Sequence, residues 1–141
     1  MAWEFALLNL GTHIASSDYN DALDQYCVVK QTTAASPTVV KTSAVSDVSY
    51  GVLQDRPSSG FAANVMVQGV TKIRILSTAH SAIVPGTKLT GGASGGGMPS
   101  TAVGSYVLGR SLNILAANTT GIISMLITHQ GGGSSGAGAT A

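Results

Sequence analysis

Residues 50–75 read YGVLQDRPSSGFAANVMVQGVTKIRI. Three short apolar stretches are broken first by the polar loop QDRPSSG and then by Gly69. Beyond Gly69 the pattern has a period of two. In VTKIRIL, Val70, Lys72, Arg74 and Leu76 fall on one face of an extended chain, with Thr71, Ile73 and Ile75 on the other. That alternation predicts a half-buried strand whose two cations point outward together. Pro57 and Gly60 predict that QDRPSSG turns the chain from one strand into the next, with Gly69 a second turn or bulge. Asp55 and Arg56, side by side in that loop, are either the working part of a site or part of the turn and of contacts between subunits.

The same texture extends outward from this stretch. QYCVVKQT, TVVKTS and VSYGVLQ lead into it, and SYVLGRSLNILA and GIISMLITH follow. These runs are rich in Val, Ile, Thr and Tyr, and the Gly, Pro, Ser and Asn between them are spaced as in an antiparallel sandwich or barrel. Recurrent β-branched residues and glycines argue against helix. At 141 residues the chain has one domain's length, enough for a single core without metal or disulfide.

The expected fold is therefore mainly β: a small antiparallel β-barrel or sandwich over residues 25–129, an extended N-terminal arm over 1–24 and a flexible Gly-rich tail over 130–141. In the arm, Trp3, Phe5, Leu7 and Leu8 form an apolar patch that needs a surface to cover it. SSDYNDALDQY reads as a short helix capped by Ser17 or Asp18, with Asp18, Asp21 and Asp24 on a solvated face. Residues 84–104, VPGTKLTGGASGGGMPSTAVG, read as a mobile surface loop.

Charge is sparse and unevenly placed. Asp, Glu, Lys and Arg make up 9% of the chain, against about 25% in ordinary soluble domains, a composition suited to close packing against other proteins. Residues 1–55 hold all six acids (Glu4, Asp18, Asp21, Asp24, Asp47, Asp55) against Lys30 and Lys41, a net −4. The remainder holds Arg56, Lys72, Arg74, Lys88 and Arg110 and no acid, a net +5. Either the halves neutralise each other inside one fold, or neighbouring copies meet acid to base. Five dispersed cations do not make a nucleic-acid groove. The lone Cys27, in YCVVK, reads as a small buried hydrophobe. The N-terminal apolar stretch is too short and interrupted for a signal segment or membrane span, which points to a product made in a cytosol or assembled there.

Motifs for chemistry are incomplete. G-x-S-x-G occurs at Gly92–Gly96 and Gly132–Gly136, but a nucleophile elbow needs a strand before the serine, a helix after it, and an acid and a histidine further on; no acid follows Ser94. The Walker spacing is absent around Lys88, which reads as a solvated turn residue. His13, His80 and His129 are far apart, without Cys or carboxylate at ligand spacing, and read as surface or strand-end residues. Asn118-Thr119-Thr120 reads as the turn before the last strand. Neither catalysis, cofactor nor metal is expected.

Four pieces in order carry a resemblance. Gly51-Val52-Leu53-Gln54 with Pro57, Gly60, Ala63, Val65 and Gly69 comes first, then Gly86-Thr87-Lys88-Leu89. Val107-Leu108-Gly109-Arg110-Ser111-Leu112 and Gly121-Ile122-Ile123-Ser124-Met125-Leu126-Ile127 follow. Over residues 25–128 this succession resembles the capsid decoration, or head cement, proteins of tailed phages. The third piece departs from that family's pattern, with Arg110 and Ser111 where a single small residue is usual, and the arm is longer than in many members.

The resemblance implies a non-catalytic β domain on the outer surface of an icosahedral head. Its expected partners are the major capsid protein and its own copies in a homotrimer bridging capsomers, with no direct nucleic acid and no membrane. The arm, with Trp3, Phe5, Leu7 and Leu8, is expected to anchor the domain between capsid subunits. Asp55, Arg56, Lys72 and Arg74 are the other candidate contacts. The second reading is a surface-displayed β-sandwich module that binds host glycans, which would need exposed aromatic rings beside a groove.

Overall fold

The computed structural model describes residue 2 and residues 5–32, 37–101 and 105–130, with backbone alone for residues 5–12. Among the described residues the chain forms strands β1 (Phe5–Ala15), β2 (Val28–Gln31), β3 (Thr38–Lys41), β4 (Gly51–Leu53), β5 (Ala62–Ile75), β6 (Lys88–Gly91), β7 (Gly97–Pro99), β8 (Val107–Ser111) and β9 (Gly121–Gln130). They lie in one sheet in the order β1-β3-β2-β4-β5-β9-β8-β6-β7, and β1 pairs with β5 as well. That extra pairing closes β1, β3, β2, β4 and β5 into a five-stranded barrel, so the expected mainly β, barrel-like architecture is the observed one.

The two expected runs at 63–69 and 70–76 are one continuous strand. The first half of β5 is barrel wall, and the second half leaves the barrel to pair with β9 from Gly69↔Ile127 to Ile75↔Gly121. Gly69, at φ 116°, sits where the strand changes partners and faces both Ala6 and Ile127. A side chain rarely tolerates that dihedral, so glycine is the residue that lets one strand serve both parts. The turn or bulge expected at Gly69 is replaced by a slip on the partner strand, where β1 shifts register between Ala6 and Leu8, opposite Gly69.

Two cores lie back to back across β2, β4 and β5. Val29, Leu53 and Val65 point into the barrel with Ala15, Tyr19, Val39 and Ala63. Their neighbours Val28, Val52 and Met66 point the other way and pack with Ile73, Ile75, Ile83, Leu89, Leu108, Ile123, Met125 and Ile127. A strand covered on both faces needs consecutive apolar residues, which is why CVV, GVL and VMV do not alternate while TKIRI does. Each large side chain so buried contributes roughly 1.5–3 kcal/mol.

Several expectations are corrected by this arrangement. Residues 5–15, expected in an arm outside the β domain, are β1, whose main chain covers the open edges of β3 and β5. The sheet is not wholly antiparallel, because β1 runs parallel to β3 (Ile14↔Thr38, Ala15↔Val39). Residues 17–26 form turns rather than a capped helix. Leu23 N–H donates to Asp21 Oδ1, Asp21 N–H donates to Asp24 Oδ2, and Asp18 Oδ1 accepts from the distant Ser59 N–H. Short Asp-rich segments compete with helix in this way, and one turn of helix is costly to nucleate. Asp24 is buried and ion-paired with Lys41, not solvated.

The glycine-rich stretch is also a packed element. Up to Thr101 it contributes β6, a 3₁₀ turn at Ala93–Gly95 and β7, while residues 102–104 lie outside the described part. A Cβ on Gly97 would lie 2.6 Å from Ile73 Cδ1, and one on Gly91 would overlap Thr42 Oγ1. These glycines let two backbones approach the core where any side chain would collide. Residues 131–141, expected as a flexible tail, also lie outside the described residues.

Candidate functional site

Cross-strand register gathers residues that are remote in sequence. Residues opposite one another in an antiparallel ladder share a face. Arg74 lies opposite Ile122, Lys72 opposite Ser124, and Val70 opposite Leu126. Leu126 in turn lies opposite Arg110, and Arg110 opposite Lys88. Four of the five cations in the basic part of the chain therefore share the outer face of β5-β9-β8-β6, around the part-exposed Ile122 and Leu126.

Each of these cations for which contacts are described is positioned by its own chain. Arg74 Nε donates to Gln25 O (3.0 Å) and Arg74 Nη2 to Ala22 O (3.2 Å). Lys72 Nζ sits 5.3 Å from the Tyr26 ring centroid, within cation–π range. Arg110 donates to Gly86 O and Gln130 Oε1. The ion pairs Lys30–Asp47 and Lys41–Asp24 both lie within the acidic first 55 residues. The alternation that placed Lys72 and Arg74 together is confirmed. Lys88, read as a turn residue, begins β6 on the same face; no signal in a single sequence gives the register that puts it beside Arg110.

The remaining candidates are dispersed. Asp55 Oδ1 accepts the Asn64 N–H (3.1 Å) and braces the loop, while Arg56 is exposed next to it. Tyr19 N–H donates to Pro57 O and Gly60 N–H to Ala15 O, so QDRPSSG is the β4–β5 connection, fastened at both ends. Phe5 pairs with Val70 and Leu8 with Gln68 through the β1 backbone, and Leu7 falls in the register slip. Trp3 lies outside the described residues.

Ser94 is exposed on the 3₁₀ turn, at φ 56°, and is followed by β7 rather than a helix. Cys27 is fully buried, and that burial pushes its thiol above the ordinary range. Among the described residues no three His, Cys, Asp or Glu side chains gather as a metal site.

Of the histidines, His129 is exposed at a strand end as expected, whereas His13 and His80 are buried. His13 is buried against the Tyr50 ring, 5.0 Å between centroids, and its Nδ1 has no partner among the described residues. His80, also buried, has its two ring nitrogens 2.7 Å from Ser81 O and Thr119 O, clamping two loops together. His129, at the end of β9, joins Val67 O (2.7 Å) to the Tyr106 hydroxyl (2.8 Å). Tyr50 and Tyr106, expected within strands, each precede one, where their rings flank open space.

No protein-family model and no curated protein matches the chain. Among solved structures, it is similar to the N base of head fiber gp8.5 of bacteriophage phi29, with a TM-score of 0.60 and 17% identity. The similarity covers 86% of this chain and 93% of that one, so the two share a fold over nearly the whole phage domain.

Proposed function

We propose that this chain is a non-catalytic structural protein of a bacteriophage head. In this reading it binds the outer surface of the capsid and cements the expanded shell, as trimers that bridge capsomers. The observation that carries the reading is the fold shared with almost all of the N base of a phage head fiber. The four-piece sequence resemblance to decoration proteins supports the cementing role. Partners are the major capsid protein and further copies of the chain.

The surface for that partner is the face bearing Lys72, Arg74, Lys88 and Arg110 around Ile122 and Leu126. Apolar residues ringed by cations match an acidic, partly apolar patch on a capsid subunit, where many weak contacts repeated over a shell add up. Mixing the purified protein with expanded heads of the phage that encodes it, followed by sedimentation, tests this. Saturation at a fixed ratio to the major capsid protein is expected, with Lys88→Glu weakening binding about tenfold and raised salt weakening the wild type. Absence of any association with heads at micromolar protein would overturn the function. Full binding by Lys88→Glu together with Arg110→Glu would overturn the assigned face.

A further inference from the structure

Where the barrel meets β8 and β9, the surface holds a groove of about 360 Å³. Its walls are Gln31 at the end of β2, Val48, Ser49 and Tyr50 ahead of β4, Tyr106 ahead of β8 and His129 at the end of β9. A second hollow of about 340 Å³ shares Tyr50 and His129 with it and adds Gln68 and Thr128. Both fall in the size range of small-molecule sites, about 300–1,000 Å³, and they sit at a junction between substructures, where such sites concentrate.

Two polar groups of the groove, His129 and Tyr106, are fixed in position. Val67 O can only accept, so His129 Nε2 carries the proton and donates to it. His129 Nδ1 is then left to accept from the Tyr106 hydroxyl. Burial pushes the Tyr106 phenol above its ordinary value, which keeps that hydroxyl a donor at neutral pH. His129 holds φ 48°, a left-handed backbone that costs about 1 kcal/mol or more in a non-glycine residue and is found preferentially at binding sites. Behind the groove the buried His13 ring props Tyr50.

The lining also defines the ligand. Among the described residues neither hollow is walled by Asp, Glu, Lys or Arg, so these walls offer a phosphate, sulfate or carboxylate no counter-charge. Two tyrosine rings supply flat apolar surface, and Gln31, Gln68, Thr128 and Tyr106 supply uncharged donors and acceptors around it. From this combination we infer that the groove is a binding site for a neutral saccharide, with a sugar face laid on tyrosine and its hydroxyls bonded to the amides. Its lining shares no residue with the proposed capsid contact, and the reading goes beyond that role.

The test is an amide NMR titration of the full chain with a panel of neutral oligosaccharides (gluco-, manno-, galacto- and N-acetylglucosamine oligomers). Heparin hexasaccharide serves as the anionic control. Saturable shifts at Gln31, Tyr50, Tyr106 and His129 with Kd near 10⁻⁴–10⁻³ M are expected for at least one neutral glycan. Gln31→Ala, at an exposed position that leaves the core untouched, should weaken it severalfold, and Tyr106→Ala about tenfold. No saturable response to any neutral glycan, a response to heparin alone, or unchanged affinity in both variants would overturn the assignment.

Discussion

The two halves of β5 differ in what surrounds them, and that difference governs how the whole chain reads. Residues 70–75 have core on one side and a basic outer face on the other, so Thr71, Ile73 and Ile75 alternate with Val70, Lys72 and Arg74. Residues 63–66 have core on both sides, with Val65 in the barrel and Met66 in the core outside it, and alternation vanishes. A period of two signals a strand only where one face meets solvent. Where two cores share a wall, the sequence shows only a short apolar run.

The comparison can be broken most directly by truncating one side chain in each core. Leu53→Ala in the barrel core and Ile73→Ala in the second core are each expected to cost about 2–5 kcal/mol. Because β5 builds both cores, urea unfolding followed by far-UV circular dichroism and by tyrosine fluorescence should remain a single coincident transition in either variant. Two separated transitions would mean that the halves fold independently.

Gly97→Ala sharpens the contrast between packed and open glycines. Its Cβ would press on Ile73 Cδ1, so a loss of about 1–3 kcal/mol is expected, less in an Ile73→Val background that makes room. Gly86, at φ 92° with open space around it, should cost only about 1 kcal/mol of backbone strain as Ala. Equal and additive losses at both positions would contradict the close approach.

Arg74→Ala, on the outer face, removes two hydrogen bonds to carbonyls of the 19–26 turn. An expected loss of about 1 kcal/mol should appear as faster amide exchange at Ala22–Tyr26. Unchanged exchange there would mean that the turn holds itself.

The smallest effect is electrostatic. The Lys30 ammonium, and after it the Ser43 amide, hold the Asp47 carboxyl far below its unfolded value of 3.8. The unfolded chain therefore takes up that proton first. The stabilisation is complete above about pH 5 and falls away as pH drops further. Asp47→Asn should flatten the decline in stability between about pH 5 and pH 2 in thermal melts; an unaltered slope would remove Asp47 from the account.

The legible parts of the candidate surfaces were those set by local period. Lys72 and Arg74 share a face because they are two residues apart, whereas Lys88 and Arg110 join them only through ladders with β8 and β9. Tyr50 and Tyr106, separated by 55 intervening residues, meet at one groove for the same reason. Residues 5–15 were misassigned because their strand pairs with β3 and β5 across long sequence distances, and nothing local marks an edge that needs covering.

By itself, the sequence determined that this chain is built of strands, where most of them lie, and that QDRPSSG is a turn. β-Branched runs, breaker residues and alternation are nearest-neighbour properties of the backbone. The tertiary structure alone decided that β1 closes a barrel, that the glycine-rich stretch is core, and which cations and aromatic rings share a surface. Those outcomes depend on strand register and on back-to-back packing, which arise from contacts between residues that no local pattern connects.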